Sequence, residues 1–196
     1  MQGNVLKLIV GLGNPGLQYQ DNRHNAGAQF VAQLCARYDG ELRTESKFFG
    51  QAARVTIASQ DVRLLIPTTY MNRSGQAIAA IRKYFDIAPE NMLVAYDEID
   101  FDPGVSRLKF GGGHGGHNGI RDIISALGDN KDFYRLRIGV GHPGNKALVA
   151  NYVLSDPPKK EAEMILNDID KAIAIMPLAV KGQWQSAMHN LHTPSE

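Results

Sequence analysis

The chain alternates short apolar runs with polar, glycine-rich joints, and the period of the apolar positions changes from run to run. Residues 5–11 form a mostly apolar run that stops at glycines, as a buried strand does. Residues 26–38 place Phe30, Val31, Leu34 and Cys35 at helical spacing. Residues 52–58 and 62–67 read as two strands joined by a turn. Residues 74–85 carry Ile78, Ile81 and Phe85 on one helical face, and 92–96 are a buried strand that delivers Asp97 and Glu98. Residues 105–110 alternate as a strand should. Residues 119–127 put Ile120, Ile123, Ile124 and Leu127 on one side of a helix. In 134–140, Leu136, Ile138 and Val140 point one way and Arg135 and Arg137 the other, which predicts a strand. A weak helix follows over 147–154, then one long helix over 159–181, closed by Gly182.

Strands alternating with helices predict an α/β fold. The expected architecture is a three-layer α/β/α sandwich with a mixed, mostly parallel central sheet. A chain of 196 residues without internal repeats, low-complexity tracts or long linkers reads as one domain over 1–196. No apolar stretch approaches the ~20 residues that span a bilayer. The start has no basic segment leading into an apolar run, so the expected location is cytoplasmic, with no membrane contact. Cys35 is the only cysteine, which excludes an internal disulfide and a cysteine-based zinc cluster.

A formal net charge of +1 does not mark a nucleic-acid binder. The distribution says more: residues 101–150 hold seven Lys/Arg against four Asp, whereas 151–196 hold four against six Asp/Glu. A basic middle could face phosphate or be an ordinary solvated surface, and charge alone favours the latter.

Four polar segments lie at strand ends or helix starts: residues 11–16 with 21–25, 68–75, 97–100 and 111–119. Ligands of open α/β sheets sit at carboxyl ends of strands, so these loops could converge on one cleft. The first segment formally matches Gly-x-Gly-x-x-Gly. Pro15 lies inside it and no amphipathic helix follows at once, so a tight turn carrying Asn14 is the better reading than a dinucleotide site. The fourth segment lacks the Lys-Ser/Thr of a phosphate-binding P-loop and reads as a loop able to approach a substrate backbone closely.

Of six histidines, His24 and His117 lie in asparagine-rich loops. Histidine suits general-base work near neutral pH, and Asp97 at a strand end could fix its tautomer. Asp97, Glu98 and Asp100 alternatively offer a metal site. There is no Gly-x-Ser-x-Gly elbow, and Cys35 falls on an apolar helix face. No His-Glu-x-x-His occurs, and His114 and His117 have no obvious third ligand for zinc. What remains is water activated by a histidine, with Asn14, Asn72 and Asn118 donating to a carbonyl oxygen or oxyanion. A nicotinamide-dependent oxidoreductase and a non-catalytic RNA-binding module are the rival classes.

Together, Leu8–Gly16, Arg23-His24-Asn25-Ala26-Gly27, Tyr70-Met71-Asn72 with Ser74-Gly75, Asp97-Glu98 and Gly111–Asn118 resemble the bacterial peptidyl-tRNA hydrolase family, in order and over nearly the whole chain. The resemblance implies a monomeric enzyme without metal, cofactor or obligate protein partner. Its substrate would be peptidyl-tRNA, engaged at the acceptor stem and 3′ end and cleaved at the ester to release tRNA and peptide. His24 would be the base, Asp97 would hold it in its basic form, and Asn14 would position the scissile carbonyl and favour N-blocked substrates. Tyr19, Tyr70, Asn72 and Asn118 would contact the tRNA 3′ end and peptide. His117 and Met71 would line the cleft. Lys109 and Arg137 would clamp the 5′ phosphate with Lys146 nearby; Arg135 and Arg137 on one strand face suit that chemistry. Three positions depart from the family's usual pattern: Asn22 for threonine, Arg73 for an apolar residue and Tyr96 for histidine.

Overall fold

The computed structural model describes residues 3–194. Among the described residues, seven strands form one sheet in the order β2-β3-β4-β1-β5-β7-β6. They are β1 (Leu8–Gly11), β2 (Arg43–Glu45), β3 (Gly50–Ile57), β4 (Gln60–Pro67), β5 (Met92–Glu98), β6 (Ser106–Phe110) and β7 (Tyr134–Gly139). The central pairs β4-β1, β1-β5 and β5-β7 are parallel, and β2-β3, β3-β4 and β6-β7 are antiparallel. Only β3 and β6 therefore run against the others, and the mixed, mostly parallel sheet expected from the sequence is present.

The pleat sorts the strands' side chains into two apolar layers. Ile9, Leu93, Ala95, Leu136 and Ile138 pack with α1 (Ala26–Arg37), α5 (Lys159–Ala174), α6 (Met176–Val180) and α7 (Trp184–His192). Leu8, Val10, Met92, Val94 and Tyr96 pack on the other face with α2 (Ser74–Phe85) and α3 (Asn118–Ala126). The connection out of β1 thus covers one face, while α2 crosses from β4 to β5 over the other. Loops leaving β1, β4 and β5 diverge around β1, and a crevice opens at their carboxyl ends.

Glycine lets α1 lie directly on the sheet backbone. A Cβ on Gly27 would stand 2.1 Å from the Ala95 carbonyl oxygen, and one on Gly11 would stand 2.2 Å from the Gly27 oxygen. The Ala28 N–H donates to Leu12 O and the Leu12 N–H to Ala95 O, at 2.9 and 3.0 Å. This contact brings the residues just before α1 against the end of β5.

One expectation is corrected. The helix expected over 159–181 is two helices, α5 and α6, with Ile175 between them. Pro177 has no N–H for the Ile173 carbonyl, and its ring crowds that carbonyl. The Leu178 and Ala179 N–H groups both return to Ile175 O, at 3.1 Å each. The weak helix of 147–154 is a 3-10 turn, Lys146–Leu148, running into α4 (Val149–Val153). The apolar pattern predicts neither β2 nor α7. The buried Trp184 of α7 stacks on Tyr134, with centroids 3.6 Å apart, and donates its indole N–H to Asn4 O. No helix among the described residues is long and apolar enough to cross a membrane.

Candidate active site

His24 sits in a 3-10 turn, Arg23–Asn25, immediately before α1, and is buried. Its Nδ1 lies 2.8 and 2.9 Å from the two carboxylate oxygens of Asp97, the penultimate residue of β5. His117 reaches the same carboxylate, with Nε2 2.8 Å from Oδ1. The two rings are 5.0 Å apart, and Tyr96 meets His117 edge-on at 4.9 Å.

The hydrogen-bond pattern decides the protonation. His117 caps α3: its Nδ1 accepts the N–H groups of Gly119 and Ile120, at 3.2 and 3.3 Å, so that nitrogen carries no proton. Its Nε2–H must then donate to Asp97. Burial pushes the Asp97 carboxyl up, but the two histidines outweigh burial and hold it far below the usual carboxylate range. An ionised Asp97 only accepts, so His24 also donates from Nδ1, and in the neutral ring the lone pair lies on Nε2. For His24, burial lowers the pKa, while attraction to Asp97 and their hydrogen bond raise it; the net shift is upward.

His24 faces a cleft of about 650 Å³ with Asn14, Tyr70, Met71, Asn72 and Asn118. Asn14 is locked from two sides. Asn25 clasps its backbone, accepting the Asn14 N–H at 2.9 Å and donating Nδ2–H to Asn14 O at 3.0 Å. The Met71 N–H donates to Asn14 Oδ1 at 2.8 Å, which leaves the Asn14 Nδ2 protons for the cleft. Asn118 Oδ1 accepts from Arg121 at 3.1 Å, leaving its amide donor as well. Across the cleft, Ala150, Val153 and Leu154 form an apolar wall.

His117 joins this group through Asp97. Tyr19 stands half-buried on a separate 3-10 turn, Leu17–Tyr19, and is not one of the cleft-lining residues. The turn reading of 11–16 agrees with the backbone, since among the described residues no α-helix begins before Ala26. Lys109 is exposed on β6 opposite Arg135, and Arg137 lies opposite Arg107. Arg137 is not a free cation. It pairs with Glu98 at 2.9 Å and lies over the Phe101 ring. Arg135 is buried and donates to the carbonyls of Gly112 and Gly113, so it anchors the glycine loop and offers no surface for phosphate. Lys146 is exposed on its 3-10 turn.

The metal reading changes. Asp97, Glu98 and Asp100 do not converge: Glu98 holds Arg137 and accepts the Asp100 N–H, while Asp97 faces the histidines. Among the described residues, the group with metal-ligand geometry is His24, Asp97 and His117, with ligand atoms within 4.8 Å of one another. His117 thus has the partners the sequence did not reveal, and they exclude His114. A tetrahedral zinc ion with bonds of about 2.0–2.1 Å holds its ligand atoms about 3.3 Å apart. The observed 2.8–2.9 Å contacts have the spacing of hydrogen bonds, so an ion would have to spread this group.

Two residues of the turn have roles that the Arg-His-Asn motif does not reveal. Asn25 was an adjacent polar residue without an assigned partner, and Arg23 gave no signal that a charged side chain would be buried.

The profile of the family described as peptidyl-tRNA hydrolase matches residues 8–196. The chain belongs to the peptidyl-tRNA hydrolase family. That membership makes it a hydrolase. A peptidyl-tRNA hydrolase of Pseudomonas fluorescens is 54% identical over 189 residues, covering 96% of this chain and 97% of that one. One from Tolumonas auensis is 52% identical over 188 residues, covering 96% and 95%. The crystal structure of the Acinetobacter baumannii peptidyl-tRNA hydrolase superposes with a TM-score of 0.93 at 49% identity, covering 96% and 95%. The family fold and the sheet described above are therefore the same.

Proposed function

We propose that this chain hydrolyses the ester between peptide and tRNA in peptidyl-tRNA, with His24 as general base. The observation that carries the reading is the His24 ring, whose Nδ1–H is committed to an ionised Asp97. Its Nε2 takes a proton from water as the oxygen attacks the ester carbonyl. The Asn14 amide donor polarises that carbonyl and stabilises the oxyanion. Asp97 stabilises the imidazolium, which returns the proton to the departing ribose oxygen. Free tRNA and the peptide's carboxylic acid result from one water, and the acid then releases its proton to solvent to become the carboxylate.

Tyr70, Met71, Asn72 and Asn118, with Tyr19 farther out, receive the 3′ end and peptide in this reading, and His117 holds Asp97. Lys109 and Arg137, with Lys146, take phosphate of the acceptor stem, contacts that fix register without reading sequence. The protein works as a monomer without metal. Release of N-acetyl-amino acid from N-acetyl-aminoacyl-tRNA tests this, with EDTA present and His24→Ala alongside. Release by wild type alone supports a metal-independent hydrolysis through His24. Equal release by the folded variant removes His24 as base, and binding without release by either protein would leave an RNA-binding module.

A further inference from the structure

Arg23 is a charged residue only 6% exposed, next to the proposed base. Its guanidinium extends toward the segment that follows β7. Nη1 lies 2.7 Å from Ser155 Oγ, 3.2 Å from Tyr152 O and 3.3 Å from Ser155 O, and Nη2 lies 3.3 Å from Glu161. The guanidinium carbon sits 3.9 Å above the Tyr152 ring. The backbone joins in: the Arg23 N–H donates to Ser155 O at 3.2 Å, and Asn22 Nδ2 to Asp156 at 2.6 Å. Tyr152 in turn donates its hydroxyl to Val140 O at 2.8 Å.

The segment held in this way has little else to hold it. Helix α4 spans five residues, and only Val153 is buried. A helix of that length has no stability of its own, because nucleation costs more than one turn returns. Burial of one valine offsets only part of the conformational entropy lost in ordering five residues. Yet Ala150, Val153 and Leu154 are the wall that faces Asn14, Met71 and His24. Burying a guanidinium is unfavourable unless its donors find partners; Nη1 and Nη2 find theirs in the wall segment and Glu161, while Nε is buried without one.

We infer that Arg23 is a positioning residue that pins the α4 wall to the turn carrying His24, and so sets the width of the cleft for the acyl part of the substrate. The inference rests on reading the cleft as the substrate site. Arg23 touches no reacting atom. It fixes the distance between the wall and the base, so its loss loosens substrate binding and leaves the protonation of His24 untouched.

The test uses Arg23→Met, which keeps stem length and contact with Tyr152 but removes the donors, and Arg23→Lys, which keeps the charge but not the fork. Hydrogen exchange of the peptide covering 148–156 is measured on the free proteins, with kcat and KM on N-acetyl-aminoacyl-tRNA across pH. The expected result is exchange about tenfold faster in that peptide than in wild type. KM should rise about fivefold or more in Arg23→Met while kcat stays within about twofold, with Arg23→Lys between it and wild type. The acid limb of the kcat/KM profile should not move. Unchanged exchange with unchanged KM overturns the inference, and so does a fall in kcat with a shifted acid limb, which would place Arg23 in the electrostatics of His24. Should Arg23→Met fail to fold, Ser155→Ala and Tyr152→Leu approach the same latch from the wall and must show the same KM rise, or the inference fails. A wild type that binds but does not cleave counts against the proposed function, whereas the exchange result still decides the latch.

Discussion

Met71 donates its backbone N–H to Asn14 Oδ1 at 2.8 Å, and this bond determines which end of the Asn14 amide meets the cleft. Asn14→Asp keeps an acceptor for Met71 and replaces the donor with a second oxygen, which would repel a carbonyl or oxyanion. Loss of one such donor costs about 10²–10³ in kcat. The substitution should therefore reduce turnover by that order while thermal unfolding stays close to wild type. Comparable kcat in Asn14→Asp would remove Asn14 from the oxyanion site.

Asp97 accepts from both histidines, and its substitution by asparagine acts on each differently. The asparagine oxygen can still take the His117 Nε2–H. Its NH2 group then faces His24 Nδ1 and favours the tautomer with the proton on Nε2, the wrong nitrogen for a base. Asp97→Asn should cost about 10³–10⁴ in kcat with little change in tRNA affinity. Steady-state kinetics beside a binding titration would show it, and a fall in affinity without a fall in kcat would contradict it.

The pH dependence of activity and of stability should oppose each other at His24. Its folded pKa is raised above the ordinary 6.5, so its contribution to stability is full below that value and is lost as pH rises through the folded value. The neutral ring does the chemistry, so kcat/KM should rise over that same interval. Asp97 is depressed, so its contribution is present above the ordinary 3.8 and is lost as pH falls through its folded value. A pH–rate profile with an acid inflection below 6.5 would be inconsistent with the raised His24.

Arg137 carries an internal anion, Glu98, while Lys109 is exposed on the same side of the sheet. Lys109→Ala should weaken tRNA binding and reduce the slope of log K against log salt by about one. Glu98→Gln should tighten binding, because phosphate would no longer compete with a carboxylate for Arg137. Titrations at several salt concentrations measure both effects. Identical slopes for wild type and Lys109→Ala would place phosphate elsewhere.

Gly27 allows backbone-to-backbone contact where nothing soft can yield. Alanine there would put its Cβ 2.1 Å from the Ala95 carbonyl oxygen. Gly27→Ala should destabilise the fold by about 3 kcal/mol or more, since overpacking against a backbone has no rotamer to relieve it. It should also separate the His24 turn from β5, so that activity falls in molecules that still fold. Chemical denaturation together with activity per folded molecule tests this.

Legibility in the sequence followed burial. Helix α2 was readable over Ser74–Phe85 because Ile78 and Ile81 repeat on its buried face. Strand β5 was readable as a continuous apolar run buried on both faces, and β7 because Leu136 and Ile138 alternate with arginines, although the burial of Arg135 left no trace in that pattern. Strand β2 was not, since Arg43, Thr44 and Glu45 carry no apolar pattern. Helix α7 did leave a trace in Trp184, Ala187 and Leu191, whereas the break at Ile175 should have been read from Pro177. The cleft residues stood out because polar groups cluster at strand ends. The partnership of Arg23 with Ser155, across a separation of 132 residues, leaves no local mark, because only the fold brings the two together.

Arg23, His24 and Asn25 occupy a single 3-10 turn and reach in three directions: to the α4 wall, to Asp97 and to the backbone of Asn14. The turn is a common datum, in the surveyor's sense, from which the wall, the carboxylate and the amide donor are all measured. Positional errors in the three therefore do not accumulate across separate loops. A displacement of the turn shifts all three at once, so partial unfolding should abolish activity in one step, before the sheet itself comes apart.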